Sequence, residues 1–110
     1  MTSETSKKIK GVVAGLIPRQ QDFTIYALAT GFDDQEVVRV VTPAWKNLGK
    51  AERVAKVHEA VMAHLNPSEK NRIFRFSVLT PKEWHTLQQR SVDEKSRILG
   101  FRRNQAAVKS

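Results

Sequence analysis

Residues 72–87 read RIFRFSVLTPKEWHTL, a short apolar run that is followed at once by a helix start. Thr80 is a favourable N-cap residue and Pro81 suits the first helical position. Glu83 stands three residues after Thr80, at the spacing that completes a capping box. The stretch therefore predicts a strand over residues 73–79 that runs directly into a helix beginning at Pro81.

The segment before this stretch predicts a helix and another strand. Apolar residues at helical spacing indicate a helix over residues 51–65, which Asn66 and Pro67 end. The run VVRVV at residues 37–41 indicates a strand. Because a helical connection is too long for a hairpin, we expect the strands at 37–41 and 73–79 to run parallel.

The N-terminal part predicts a helix and the first strand of a hairpin. Apolar residues over 9–17 recur at helical spacing, with Thr5 or Ser6 as the N-cap. Residues 23–30, FTIYALAT, are rich in aromatic and β-branched residues. The turn at 31–36 then joins this strand to VVRVV as an antiparallel hairpin.

The C-terminal part predicts a short helix and a tail. Ser91 and Glu94 have the spacing of a capping box, which indicates a helix over residues 92–99 that Gly100 closes. The following residues, FRRNQAAVKS, indicate a loosely attached basic tail.

These elements predict an α+β fold, a three-stranded mixed sheet with helices packed on one face. The order is α-β-β-α-β-α, followed by the short C-terminal helix and the basic tail. Residues 1–100 are expected to form one domain, and residues 101–110 the tail. Arg39, the only charged residue of its strand, is expected at an open position. Phe74 and Phe76 are expected to face the same way.

The composition excludes several classes of protein. Hydrophobic residues at 40% and charged residues at 27% are typical of a globular chain. No apolar run reaches the roughly 18 residues of a membrane span, and the polar start lacks the apolar core of a secretory signal. We therefore expect a cytoplasmic protein with no membrane partner. The absence of cysteine excludes disulfides and thiolate metal sites.

The net charge of +8 indicates a polyanionic partner such as DNA or RNA. Residues 1–20 carry +3, residues 21–89 carry +1 and residues 90–110 carry +4. The excess of positive charge therefore lies at the two ends of the chain. The alternative is that the basic ends only keep the protein soluble.

Two sets of basic residues are candidates for phosphate contacts. One surrounds the start of the helix at 51–65, where Glu52 and Glu59 partly neutralise it, so an ordinary solvated face is the alternative. Arg72 and Arg75 join this set if the strand order brings them near the same edge. The other set lies near the C-terminus. The candidate nucleic-acid-binding residues are Lys46, Lys50, Arg53, Arg97, Arg102 and Arg103.

Three local patterns follow one another along the chain. A strand ends in a threonine with a tryptophan nearby, a glycine and basic residues precede a helix, and a strand runs into a threonine, an acid and a tryptophan. This order resembles the BolA-like family, small α+β proteins whose fold is similar to the type II KH domain. The similarity covers roughly residues 8–88. The matching residues are Thr42, Trp45, Gly49, Lys50, Arg53, Thr80, Glu83 and Trp84.

The resemblance implies a KH-like surface of the kind associated with nucleic-acid binding. In the family, an Arg-His-Arg triplet at the helix start also supplies a ligand for an iron–sulfur cluster shared with a monothiol glutaredoxin. Here the aligned residues are Arg53, Val54 and Ala55, and valine cannot ligate a metal. The loop at 31–36 also lacks the family's second ligand. We therefore expect no cofactor; the alternative is a cluster whose ligands a partner supplies.

The titratable residues give no pattern typical of an enzyme or a metal site. His58 and His64 are six residues apart on one helix, about 240° of rotation, so they point to different faces. Asp33 and Asp34 lie in a turn, where solvated carboxylates are common. We expect a non-catalytic nucleic-acid-binding or regulatory protein. The alternative is an adaptor that docks a protein partner, or a second copy as a homodimer, through a sheet edge or the terminal helix.

Overall fold

The computed structural model describes residues 3–31, 35–90 and 96–102. The α+β class is confirmed. Within these ranges there are four helices and four strands, in the order α1 (Ser3–Leu16), β1 (Phe23–Ala29), β2 (Glu36–Val41), α2 (Lys50–Met62), α3 (Pro67–Asn71), β3 (Ile73–Leu79), α4 (Pro81–Arg90) and β4 (Ser96–Arg102).

The strands form one mixed sheet in the order β3-β2-β1-β4. β1 pairs antiparallel with β2, and β2 pairs parallel with β3 across the connection that contains α2. Both of these predicted pairings are confirmed. The expected three-stranded sheet is wrong, because β4 pairs antiparallel with the other side of β1.

β4 occupies the second half of the predicted C-terminal helix and the start of the predicted tail. Ser96 lies opposite Leu28, and Arg102 lies opposite Phe23. Phe101 and Arg102 are therefore part of the sheet. A strand prevails here because β1 supplies backbone hydrogen-bond partners for the segment, and the local capping pattern carries no information about that distant strand. The predicted capping residues and residues 103–110 lie outside the described residues.

The hydrophobic core lies between one face of the sheet and helices α1 and α2. The apolar stripe of α1 and the alternate residues of β1, β2 and β3 point into it, as the helical and strand periodicities require. Leu99 of β4 packs against the edge of this core. The buried core residues include Ile9, Val13, Phe23, Ile25, Val38, Val40, Val57, Val61, Phe76 and Val78.

Helix α4 lies on the opposite face of the sheet, so the expectation that all helices pack on one face is wrong. Val38 and Val40 are core residues, and Arg39 between them projects the other way. Trp84 of α4 contacts Arg39 and Tyr26 on this second face. Because Trp84 needs a surface to bury its ring, α4 covers the second face of the central strands.

An irregularity in β3 overturns the expected side-chain alternation. Glu36 lies opposite Ile73 and Val37 lies opposite Arg75, so Phe74 is an extra residue in the pairing. Phe74 is 58% exposed, whereas Phe76 is buried in the core. The two phenylalanines therefore do not face the same way.

Helix α1 begins at Ser3, before the predicted cap residues. Thr5 is buried, and its hydroxyl donates a hydrogen bond of 2.7 Å to Glu69 of α3. Asn66 was predicted to end the helix before it, but α2 ends at Met62. Asn66 instead caps α3, in a capping box with Glu69. The side chain of Lys8 also donates to Glu69, at 2.9 Å. This carboxylate thus joins α1 to α3.

The predicted capping box of α4 is confirmed. The Thr80 backbone N–H donates to Glu83 Oε1 at 2.9 Å, and the Glu83 N–H donates to the Thr80 hydroxyl at 3.2 Å. None of the helices in the described ranges has the length and apolar character that crossing a membrane requires.

Candidate functional site

A pocket of about 490 Å³ lies on the second face of the sheet, between strands β2 and β3 and helix α4. The first residue of α2, Lys50, also lines it. Four of its nine lining residues are cationic, and two leucines add an apolar part. The lining residues are Arg39, Lys50, Arg75, Ser77, Leu79, Lys82, Glu83, Thr86 and Leu87.

Arg39 is the buried cation of this pocket. Only 6% of the residue is exposed. Its Nε donates to the Ser77 hydroxyl at 3.2 Å, and its guanidinium lies 5.0 Å from the centre of the Trp84 ring. Trp84 in turn contacts the Tyr26 ring at 5.0 Å. These contacts hold the guanidinium in one place beside the pocket.

Three exposed cations from three different elements surround the same pocket. Lys50 begins α2, Arg75 lies on the edge strand β3, and Lys82 lies in the first turn of α4. Arg75 lines the same pocket as Arg39 of β2, because β3 is the neighbour of β2 in the sheet. The pocket therefore collects positive charge from parts of the chain that are far apart in sequence.

Glu83 is the one carboxylate among the described residues that lines the pocket. Its Oε1 accepts hydrogen bonds from the Thr80 N–H and from Arg53 Nη1, at 2.9 and 2.7 Å. Burial acts to raise the pKa of Glu83, but these hydrogen bonds and the charges of Arg53 and Lys50 outweigh it and lower the pKa below its usual value. Glu83 is thus ionised at neutral pH and already paired with cations, which limits how far it neutralises the pocket.

Arg53, a predicted nucleic-acid contact, is directed into the protein. It is 5% exposed, and its Nε donates to the backbone carbonyls of Trp45 and Leu48, at 2.9 and 3.0 Å. Its Nη1 donates to Glu83. These acceptors come from the segment before α2 and from α4, so the guanidinium connects the two segments.

Arg102, another predicted contact, binds backbone carbonyls near the end of α1. Its Nη2 donates to Ile17 and Pro18, at 2.9 and 2.7 Å, and its Nε donates to Gln21 at 3.3 Å. Its guanidinium also lies over the Phe23 ring. Arg102 therefore fastens β4 to the start of β1.

Three of the remaining predicted contacts belong to different segments of the described chain. Lys46 is exposed in the segment between β2 and α2, and Lys50 lines the pocket. Arg97 lies opposite Ala27 in the β4–β1 pairing. Arg103 is outside the described residues. Of the six predicted residues, Lys50 lines the pocket. Arg39 and Lys82 also line it, and the sequence does not identify them as contacts.

One signal in the sequence points to Arg39. A lone arginine inside the run VVRVV is surrounded by residues that belong in a core, and charged residues in such positions are rarely buried without a specific partner. The partners, Ser77 and Trp84, are 38 and 45 positions away in the chain, which a local pattern does not connect.

The histidines do not assemble a metal site in the described part of the chain. The ring of His58 packs edge-on against Phe76 at 5.6 Å, and His64 Nδ1 lies 2.9 Å from the Ala60 carbonyl of its own helix. Among the described residues, no group of three histidine, cysteine, aspartate or glutamate side chains is placed to hold a metal ion.

Comparison of the chain with protein-family models, with curated proteins and with solved structures finds no match.

Proposed function

We propose that this protein binds nucleic acid without catalysing a reaction, through phosphate contacts around the pocket between α4 and strands β2 and β3. The observation that carries the proposal is the convergence of Lys50, Arg75 and Lys82 on one pocket beside the buried Arg39. A phosphate backbone releases condensed counterions when such cations replace them, and this release favours binding.

The sequence supports the same proposal in two ways. The net charge of +8 favours association with a polyanion. The resemblance to the BolA-like family favours a KH-like nucleic-acid-binding protein. We propose a regulatory role in the cytoplasm on the same basis. Lys46, Arg97 and Arg103 stay candidate contacts outside the pocket.

The proposal is tested by measuring how affinity depends on salt. Fluorescence anisotropy with a labelled single-stranded RNA and with an unrelated DNA duplex is recorded between about 50 and 200 mM salt. We expect binding that weakens steeply as salt rises. Alanine substitution of Lys50, Arg75 and Lys82 together should lower the slope of log affinity against log salt by about one for each phosphate that the variant no longer neutralises.

A matched variant controls for the change in net charge. Lys7, Lys56 and Lys70 are exposed cations that do not line the pocket, so replacing all three by alanine removes the same charge elsewhere. This control should keep most of the slope. Absence of binding at every salt concentration, or equal slopes for the two triple variants, would contradict the proposal.

A second candidate function is docking of another copy of the chain at strand β4. β4 is the last strand in the sheet order, and its Ile98 and Phe101 are exposed apolar residues. An apolar edge strand favours pairing with another strand. Light scattering coupled to size exclusion tests this: a dimer that Ile98→Lys converts to a monomer supports docking, and a monomer at all concentrations refutes it.

A further inference from the structure

We infer that the pocket between α4 and strands β2 and β3 binds a phosphate monoester, the group carried by the 5′-phosphorylated end of a nucleic acid or by a free nucleoside monophosphate. For the first of these two ligands the inference rests on the proposed function. For the second it does not.

The charge of the pocket favours a dianion. Four cationic side chains of the described residues line it, and the carboxylate beside them, Glu83, already accepts hydrogen bonds from Arg53 and from the Thr80 N–H. An internal phosphodiester carries one negative charge, whereas a monoester carries close to two at neutral pH, because its second pKa is about 6. The monoester therefore gains more from the excess of positive charge.

Arg39 distinguishes this pocket from a merely basic surface. Exposed lysines interact weakly with a phosphate, since water screens the charges. Arg39 is nearly covered by protein, and the Ser77 hydroxyl and the Trp84 ring fix its guanidinium. A fixed and poorly solvated guanidinium interacts more strongly with a phosphate oxygen, and less side-chain entropy is lost on binding.

The burial of Arg39 favours contact with a terminal phosphate over an internal one. Arg39 is 6% exposed and its guanidinium lies against the Trp84 ring, so a ligand reaches it from the pocket side. A terminal phosphate needs one path of entry, whereas an internal phosphate needs room for the chain to continue on both sides.

The size and the apolar lining indicate what is attached to the phosphate. A volume of about 490 Å³ lies within the range of small-ligand pockets and exceeds the volume that one phosphate group fills. Leu79 and Leu87 supply an apolar part beside the cations. This combination fits a phosphate that carries a sugar or a base better than inorganic phosphate.

The test compares matched oligonucleotides. A single strand of about 12 nucleotides is prepared with a 5′-phosphate and with a 5′-hydroxyl, each labelled at the 3′ end. At fixed salt we expect the phosphorylated strand to bind about tenfold more tightly, which corresponds to one strong charge-assisted hydrogen bond. The preference should grow as pH rises from about 5 to 7.5, because the second phosphate proton is then removed.

Two variants connect the preference to the pocket. Lys82→Ala replaces an exposed side chain, so it tests the site without disturbing the core, and Arg39→Lys keeps the charge but removes the guanidinium fork. Both should reduce the preference for the phosphorylated end, whereas the control Lys7→Ala should retain it. A preference that both pocket variants keep unchanged overturns the inference.

The remaining outcomes separate this inference from the proposed function. Equal, salt-dependent binding of both strands overturns the inference and leaves nucleic-acid binding intact. If neither strand binds, the proposal of nucleic-acid binding fails. Calorimetry that compares adenosine monophosphate with adenosine then tests whether the pocket binds a free nucleotide. Binding of the monophosphate alone supports the inference for a free nucleotide; binding of neither, or of both equally, overturns it.

Discussion

Arg53 Nη1 and Glu83 Oε1 lie 2.7 Å apart and join the first turn of α2 to the first turn of α4. The Arg53 side chain is 6% exposed and that of Glu83 is 32% exposed. The same Glu83 oxygen accepts the Thr80 N–H. One carboxylate therefore caps a helix and pairs with a buried arginine at the edge of the pocket.

Removal of the Arg53 charge should destabilise the fold. Arg53→Met leaves Glu83 and the carbonyls of Trp45 and Leu48 without their donor, and we expect a decrease of about 2 to 4 kcal/mol in the free energy of unfolding, since Glu83 keeps some access to water. Urea unfolding followed by circular dichroism measures it. The exposed Lys56→Met on the same helix is the control, and equal stability of the two variants contradicts a structural role.

Acid should destabilise the protein through Glu69. Hydrogen bonds from the Asn66 N–H, the Thr5 hydroxyl and Lys8 lower the pKa of Glu69 from 4.5 to about 2. Because the folded pKa is the lower one, this contribution is fully present above the unfolded value of 4.5 and is lost as pH falls towards 2.

Unfolding measured between about pH 6 and pH 2.5 tests this dependence. Glu69→Gln should be less stable than the parent at pH 6, and the difference should shrink as pH falls. Glu59→Gln, which alters an exposed carboxylate on α2, is the matched control. A constant difference between Glu69→Gln and the parent over the whole range would falsify the assignment.

The two faces of β4 should respond differently to the same substitution. Leu99 packs against the core and Ile98 is exposed. We expect Leu99→Thr to cost about 1 to 2 kcal/mol, because Leu99 is only partly buried, and Ile98→Thr to cost less than about 0.5 kcal/mol. Thermal unfolding of the two variants measures both. Similar destabilisation at the two positions is incompatible with a strand at this edge.

Trp84 should support both the fold and the position of Arg39. Trp84→Ala removes a buried ring that contacts Tyr26 and Arg39, and we expect it to cost about 3 to 4 kcal/mol, whereas Trp84→Phe keeps a ring and should cost less. Urea unfolding compares the two variants. Equal stability of Trp84→Ala and the parent protein would show that the ring does not hold α4 on the sheet.

Elements that depend on nearby residues were predictable. The capping box of Thr80 and Glu83, the hairpin of β1 and β2 and the parallel pairing of β2 with β3 follow from short patterns and connection lengths. β4 was not predictable in this way, since a strand there depends on pairing with β1, about 75 positions earlier. The same holds for Phe74, whose exposure depends on the register with β2.

The candidate site was predictable only in part. Lys50 was identified from the basic residues around the start of α2, whereas Arg75 was expected there, together with Arg72, only if the strand order allowed it. Arg53 was expected to contact nucleic acid and Arg39 was expected at an open position, but both side chains are buried. Arg53 is buried because Glu83 and two carbonyls satisfy it, and Arg39 is buried because Trp84 covers it.

Local patterns account for where most helices and strands lie, because periodicity and caps depend on residues a few positions apart, and the composition accounts for how strongly positive the protein is. Which cations are buried, which line a common pocket and where β4 pairs are instead properties of the folded chain. Those properties depend on contacts between segments separated by 30 to 85 residues, and such contacts exist only after the chain has folded.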